Sequence, residues 1–222
     1  MSLITKTLVS NSKIYDNYHP LIKEWVSDNI NFNGNISLDY KMRIRKDLLH
    51  LIPYLFNKKI IFKYLDTFQQ NNKLLADKIR NQVINFYGEI DKISCIGGES
   101  FCYSIVDDNI RNSHFYSNNI CLCEESDFNA KIYSKKIISK CIDYNKNKKL
   151  ELYSTIIINL SKLNINLLNI INSNVNVNTI IIINCNHNDF WKKIKVLNRF
   201  KLIKRKKFIG DEYFMTVNLL VC

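Results

Sequence analysis

Small residues and chain breakers are scarce in this 222-residue protein, which has five glycines, two prolines and only two alanines, Ala76 and Ala130. So little Gly and Pro excludes collagen-like and linker-type chains. No apolar run reaches the roughly 20 residues needed to span a bilayer, because even Ser154–Ile158 and Thr179–Ile183 stop at an Asn. No apolar leader opens the chain, and Lys6 and Lys13 lie in a segment with neither Arg nor a clear amphipathic face, so a cytoplasmic location is expected. The seven cysteines (95, 102, 121, 123, 141, 185 and 222) lack paired CxxC spacing, which argues against a metal site and for free, mostly buried thiols.

What is abundant is Ile (34), Asn (31) and Lys (26), about two residues in five, the skew of an AT-rich genome. Any one Asn or Lys therefore carries less functional weight than usual. Apolar residues make up 46% of the chain, enough for a sizeable core. The formal charge of +12 points to an anionic partner, most commonly nucleic acid.

Two textures divide the sequence. Residues 1–88 predict a helical N-terminal region, with apolar helical spacing over 18–26, over 39–56 up to a break at Pro53, over 58–70 and over 72–87, Gly88 being the stop. Residues 89–222 alternate short β-branched runs with helical stretches. Strands are expected at 92–96, 119–123, 137–142, 155–159, 179–184, 201–208 and 213–221, and helices at 100–107, 127–135, 162–171 and 189–198. That alternation gives an α/β fold, a Rossmann-like and mostly parallel sheet. Its last two strands, joined through Gly210-Asp211, form a C-terminal antiparallel hairpin.

Ligands of such sheets bind beyond the carboxyl ends of the strands. The first strand leads into Gly97-Gly98-Glu99-Ser100, either a backbone cradle for a ligand or a tight turn needing positive φ, without the GxGxxG of dinucleotide sites. Glu124, about one βαβ unit on, is placed to accept hydrogen bonds from ribose hydroxyls or to serve a helix start. From Lys192 to Lys207 there are nine Lys or Arg and no acid, with Trp191, Phe200 and Phe208 interleaved. Lys192, Lys193, Arg199, Lys204, Arg205, Lys206 and Lys207 are the candidate RNA contacts; the alternative is the solvated face of a helix whose core face is Trp191, Ile194 and Leu197.

With its glycine turn, Glu124, the polar Asn159-Leu160-Ser161-Lys162 after the fourth strand and the closing strand pair, the stretch 89–222 resembles the class I S-adenosylmethionine-dependent methyltransferases. The resemblance implies S-adenosylmethionine as cofactor, with Gly97, Gly98, Glu99, Ser100 and Glu124 around it. Ile183-Asn184-Cys185-Asn186 is similar to the end of the RNA uracil-5-methyltransferases, which makes Cys185 a nucleophile by carry-over, where the residue alone reads as a buried strand end. Asn159 is a substrate or cofactor contact by the same route, or a helix cap. The expected function is methylation of RNA, whether tRNA, rRNA or an mRNA cap. The alternatives are an inactive methyltransferase-like subunit that binds nucleic acid or a protein partner, and a structural component of an AT-rich virus or parasite.

Overall fold

The computed structural model describes residues 51–64, 73–209 and 214–222. The chain forms two compact units, 1–67 and 68–222. The helix expected over 18–26, and the parts at 39–50 and 65–70 of the helices expected over 39–56 and 58–70, lie outside the described residues.

In the first unit, β1 (Leu51–Phe56) and β2 (Lys59–Tyr64) form an antiparallel hairpin where helices were expected at 39–56 and 58–70. The turn explains the outcome. Asn57 and Lys58 both take positive φ (46° and 67°), the geometry of a two-residue turn whose twist matches the flanking strands. Pro53 pairs opposite Phe62 in a strand whose one partner among the described residues is β2, and a strand edge tolerates the missing N–H.

The second unit opens with α1 (Lys73–Tyr87), which buries Leu75, Ala76, Ile79, Arg80 and Val83 at helical spacing. Gly88 ends it at φ +64°, its amide bonded back to the Ile84 carbonyl. There follow β3 (Lys92–Ile96), α2 (Phe101–Val106), β4 (Asn112–Ser117), α3 (Ile120–Ile132), β5 (Lys136–Cys141) and β6 (Thr155–Asn159). Then come α4 (Ile165–Ser173), β7 (Thr179–Asn184), α5 (His187–Lys193), a 3-10 turn over Ile194–Val196, β8 (Lys201–Ile209) and β9 (Phe214–Val221).

The sheet order is β5-β4-β3-β6-β7-β9-β8, parallel except for β9, which runs antiparallel to both β7 and β8. The Ile runs of β6 and β7 (156–158 and 180–182) are fully buried, as expected for central parallel strands covered on both faces. One face packs on α4 and α5 through Leu167, Leu168, Ile171 and Phe190. On the other, α1 lies across β7, β9 and β8.

One strand assignment is corrected. Residues 119–123 are not a strand; they open α3, and the second strand of the sheet is β4, seven residues earlier. Asn119 caps α3 by accepting the Cys121 amide at 3.0 Å, and Leu122, Cys123, Ser126, Asn129 and Ala130 then fall on one buried helical face. β4 hides in the sequence because it buries polar residues, Ser113, His114 and Ser117. His114 and Tyr116 are both tied to the Glu151 carbonyl at 2.7 Å, and Phe115 packs edge-on against Phe101. The thiols divide too: Cys95, Cys102 and Cys123 are buried, whereas Cys141, Cys185 and Cys222 are exposed.

Candidate functional site

Strand order reverses between β3 and β6, so the crevice beyond their carboxyl ends is where an open α/β sheet binds its ligand. The glycine turn lies there. Gly97 and Gly98 take φ of +70° and +48°, the Gly97 amide donates to the Tyr116 carbonyl at 2.8 Å, and the Ser100 hydroxyl donates to the Gly97 carbonyl at 2.6 Å. A Cβ on Gly97 would collide with Leu160 Cδ2, and one on Gly98 would stand 2.8 Å from the Asn159 side chain. Both a left-handed backbone and the close approach of the β6 turn therefore demand glycine. The same contact brings two sequence-predicted stations, Gly97-Gly98 and Asn159, together.

Glu99 and Ser100 face inward. Glu99 is 6% exposed and accepts from Arg80 Nη2 at 3.2 Å, while Arg80 Nη1 reaches Asp77 at 3.1 Å, so an ion pair fastens α1 to the glycine turn. Beside it is a cavity of about 10 Å³ lined by Ile79, Arg80, Glu99, Tyr103, Asn159 and Ile183, room for one water. Sequence reasoning passed over Arg80, whose only signal was a charge on the buried face of an amphipathic helix.

Glu124 does not end a strand. It is an exposed residue of α3, seven positions after the last residue of β4. The groups at that strand end are Ser117, whose hydroxyl accepts the Asn119 amide at 3.1 Å, and the exposed Asn118. A carboxamide thus stands where the sequence reading put a carboxylate.

At the end of β7, Asn184 is 2% exposed and Cys185, the next residue, is exposed. Asn186 caps α5 through the Asp189 amide at 3.0 Å. Burial disfavours the ionised form of Asp189, but the Lys193 ammonium at 2.6 Å and the Leu163 amide at 2.8 Å outweigh it and hold the carboxyl below its ordinary value.

The seven basic candidates separate into two groups. Lys193 binds Asp189 and the Leu163 carbonyl, and Arg199 donates to the carbonyls of Asn172 and Asn174 at 2.7 and 3.0 Å, so both tie the chain together. Lys192, Lys204, Lys206 and Lys207 are exposed, and Arg205 is half-buried. Along β8, Arg205 and Lys207 pair with Asn218 and Thr216 and share the α5 face, whereas Lys204 and Lys206 project to the other. β8 is also the sheet edge, kinked between Leu202 and Lys204, and lysines with a bulge there protect it from pairing with another chain. Among the described residues no helix is long and apolar enough to cross a membrane.

No protein-family model and no curated protein matches the sequence. Solved structures do match. The Pyrococcus abyssi tRNA (uracil-54, C5)-methyltransferase in complex with S-adenosyl-L-homocysteine superposes with a TM-score of 0.65 at 17% identity, over 77% of this chain and 44% of that one. The M. jannaschii tRNA m1G37 methyltransferase gives 0.57 at 15% identity, over 77% and 56%. M. jannaschii TYW2 in complex with AdoMet gives 0.57 at 9%, over 82% and 90%. The fold is that of the class I S-adenosylmethionine-dependent methyltransferases. The chain spans less than half the length of the first of these proteins and little more than half of the second.

Proposed function

We propose that this protein is an S-adenosylmethionine-dependent methyltransferase that acts on RNA. The observation that carries the reading is the Gly97-Gly98 turn, both residues at positive φ, at the carboxyl end of β3 where the sheet reverses. The RNA part rests on the cations of β8 and on the tRNA methyltransferases among the fold neighbours.

The donor set suits the cofactor. Gly97 and Gly98 carry no side chain of their own over the turn, Asn159 brings a carboxamide against Gly98, and Asn118 brings a second to the end of the neighbouring strand. Carboxamides donate and accept, which matches an amino-acid tail and ribose hydroxyls. The side chains of Asn159 and Leu160 lie against the glycines and must turn aside to widen the crevice. When bound, the cofactor supplies an electrophilic methyl group. The chain's own part is positioning: the Arg80–Glu99 pair fixes the turn, and the strand ends orient the two reactants. Cys185, exposed one residue past β7, is the side chain that would add to a pyrimidine ring, as the resemblance to uracil-5-methyltransferases implies.

The test is transfer of a labelled methyl group from S-adenosylmethionine to unmodified tRNA and rRNA transcripts. Label in RNA that is lost on Asn159→Ala supports the reading; transfer lost on Cys185→Ser with S-adenosylhomocysteine binding intact assigns the nucleophile. Tight cofactor binding with no RNA labelled overturns the substrate class.

A further inference from the structure

The strongest unassigned feature lies on the α5 face of the β8–β9 hairpin. The Arg205 guanidinium stands 5.0 Å from the centre of the Trp191 ring and 5.5 Å from that of Phe190, and the Lys207 ammonium stands 4.2 Å from the centre of Phe214. His187 packs edge-on between Trp191 (6.0 Å) and Phe214 (5.9 Å). Trp191 remains 41% exposed, so part of its indole is open to a partner.

Two observations show that this cluster is incomplete on its own. Trp191 Nε1 donates to His187 Nε2 at 3.2 Å while Arg205 Nη2 stands 2.6 Å from His187 Nδ1. A neutral imidazole accepts at one nitrogen only and an imidazolium at neither, so His187 cannot satisfy both donors. Arg205 has no carboxylate partner among the described residues, and Asp189, an acid on α5, is committed to Lys193. Behind the cluster, on the same face, both side-chain polar atoms of Asn184 and the Oδ1 of Asn218 are buried with no hydrogen-bond partner. Buried amides are nearly always satisfied, so this polar layer beneath the aromatic and cationic rim has hydrogen-bonding capacity left for water or a ligand.

We propose that His187, Trp191, Arg205, Lys207 and Phe214 form a stacking site for an unpaired nucleotide of single-stranded RNA, the base lying on Trp191 and the flanking phosphates on Arg205 and Lys207. Aromatics take the π-face that every base has and cations take the backbone, whereas a duplex would offer phosphates without a free base face. The site deepens the RNA reading above and rests on it. It also selects substrate: a target base in a loop or single-stranded end is admitted and one in a helix is not.

The experiment uses the full chain with Trp25→Phe, so that Trp191 is the sole indole. A nine-nucleotide oligoadenylate is expected to quench its fluorescence saturably, and a nine-base-pair RNA duplex is not. Trp191→Ala, with binding read by anisotropy of a labelled oligonucleotide, is expected to weaken the single strand by about 5- to 150-fold and leave the duplex unchanged. Trp191→Phe restores part of the loss. Arg205→Gln with Lys207→Gln lowers the salt slope for the single strand by roughly 1.4. Absence of quenching, equal quenching by the duplex, or unchanged single-strand affinity in a folded Trp191→Ala protein overturns the proposal. S-adenosylhomocysteine binding on the same samples separates the two readings: quenching without cofactor binding removes the methyltransferase and keeps the stacking site, and cofactor binding without quenching does the reverse.

Discussion

The crevice between β3 and β6 and the patch on α5 and β8 belong to one sheet, yet they are built on opposite principles. In the crevice a charged pair and a hydroxyl are committed to the fold: Glu99 holds Arg80 and Ser100 closes its own turn. In the patch the polar groups are not, for Arg205 and Lys207 lie over aromatic rings and Asn184 and Asn218 have polar atoms with no partner. A backbone turn that must keep one shape is best held by satisfied, buried contacts, whereas a surface that grips a polyanion keeps its cations available. The contrast teaches where to expect stability effects and where binding effects.

Arg80→Ala gives the sharpest separation. It removes the Arg80 guanidinium from the buried pair with Glu99, and breaking such a pair costs about 3–5 kcal/mol, to be read as a fall in the midpoint of urea denaturation. If the midpoint stays put, the pair does not hold the turn. Replacing Lys204, Arg205, Lys206 and Lys207 together by Gln leaves the melting temperature nearly unchanged and reduces the salt slope of RNA binding by roughly 2–3; an unaltered slope relocates the RNA surface.

Within the crevice, Asn118→Ala is expected to weaken S-adenosylhomocysteine binding about tenfold, the worth of one or two hydrogen bonds, while Glu124→Ala on the outer face of α3 changes nothing. The reverse ranking would restore Glu124 to the site. Asn119→Ala, which removes the α3 cap, should cost about 1 kcal/mol in thermal unfolding. The smallest effect is pH-dependent. The Asp189 carboxyl is held below its ordinary 3.8, so its contribution is complete at neutral pH and is lost as pH falls through the lowered value. Asp189→Asn should therefore melt below the unaltered protein at pH 7, with the gap closing as acid protonates the carboxyl of the unaltered protein; a gap that persists in strong acid would assign the loss to packing.

How much of this was legible in the sequence depends on which force shaped each element. The Ile-rich strands β6 and β7 are plain because burial on both faces leaves a continuous apolar run, whereas β5 and β8, largely exposed, are legible from short runs that carry Ile between charged residues. β4 was missed because Asn112-Ser-His-Phe-Tyr-Ser carries no β-branched residue and is held by hydrogen bonds to Glu151, a partner 35 to 37 residues away that no local pattern reveals. That miss moves the second strand onto Asn119–Cys123 and Glu124 onto its end. The cap signal at Asn119 was there to correct it. At 51–64 the apolar spacing suited a helix as well as a hairpin, and the deciding features were Pro53 and the positive-φ Asn57-Lys58 turn. The glycine turn and the basic run were readable in outline. The inward commitment of Glu99, Ser100, Lys193 and Arg199 was not, because it depends on which carbonyls and charges the fold brings near them.

The most direct measurement is a calorimetric titration of the full chain with S-adenosylhomocysteine, repeated on Asn118→Ala. Saturable binding at micromolar ligand that weakens about tenfold in the variant is the predicted result. No heat of binding up to millimolar ligand would contradict the account, leaving a methyltransferase fold whose crevice is closed to the cofactor.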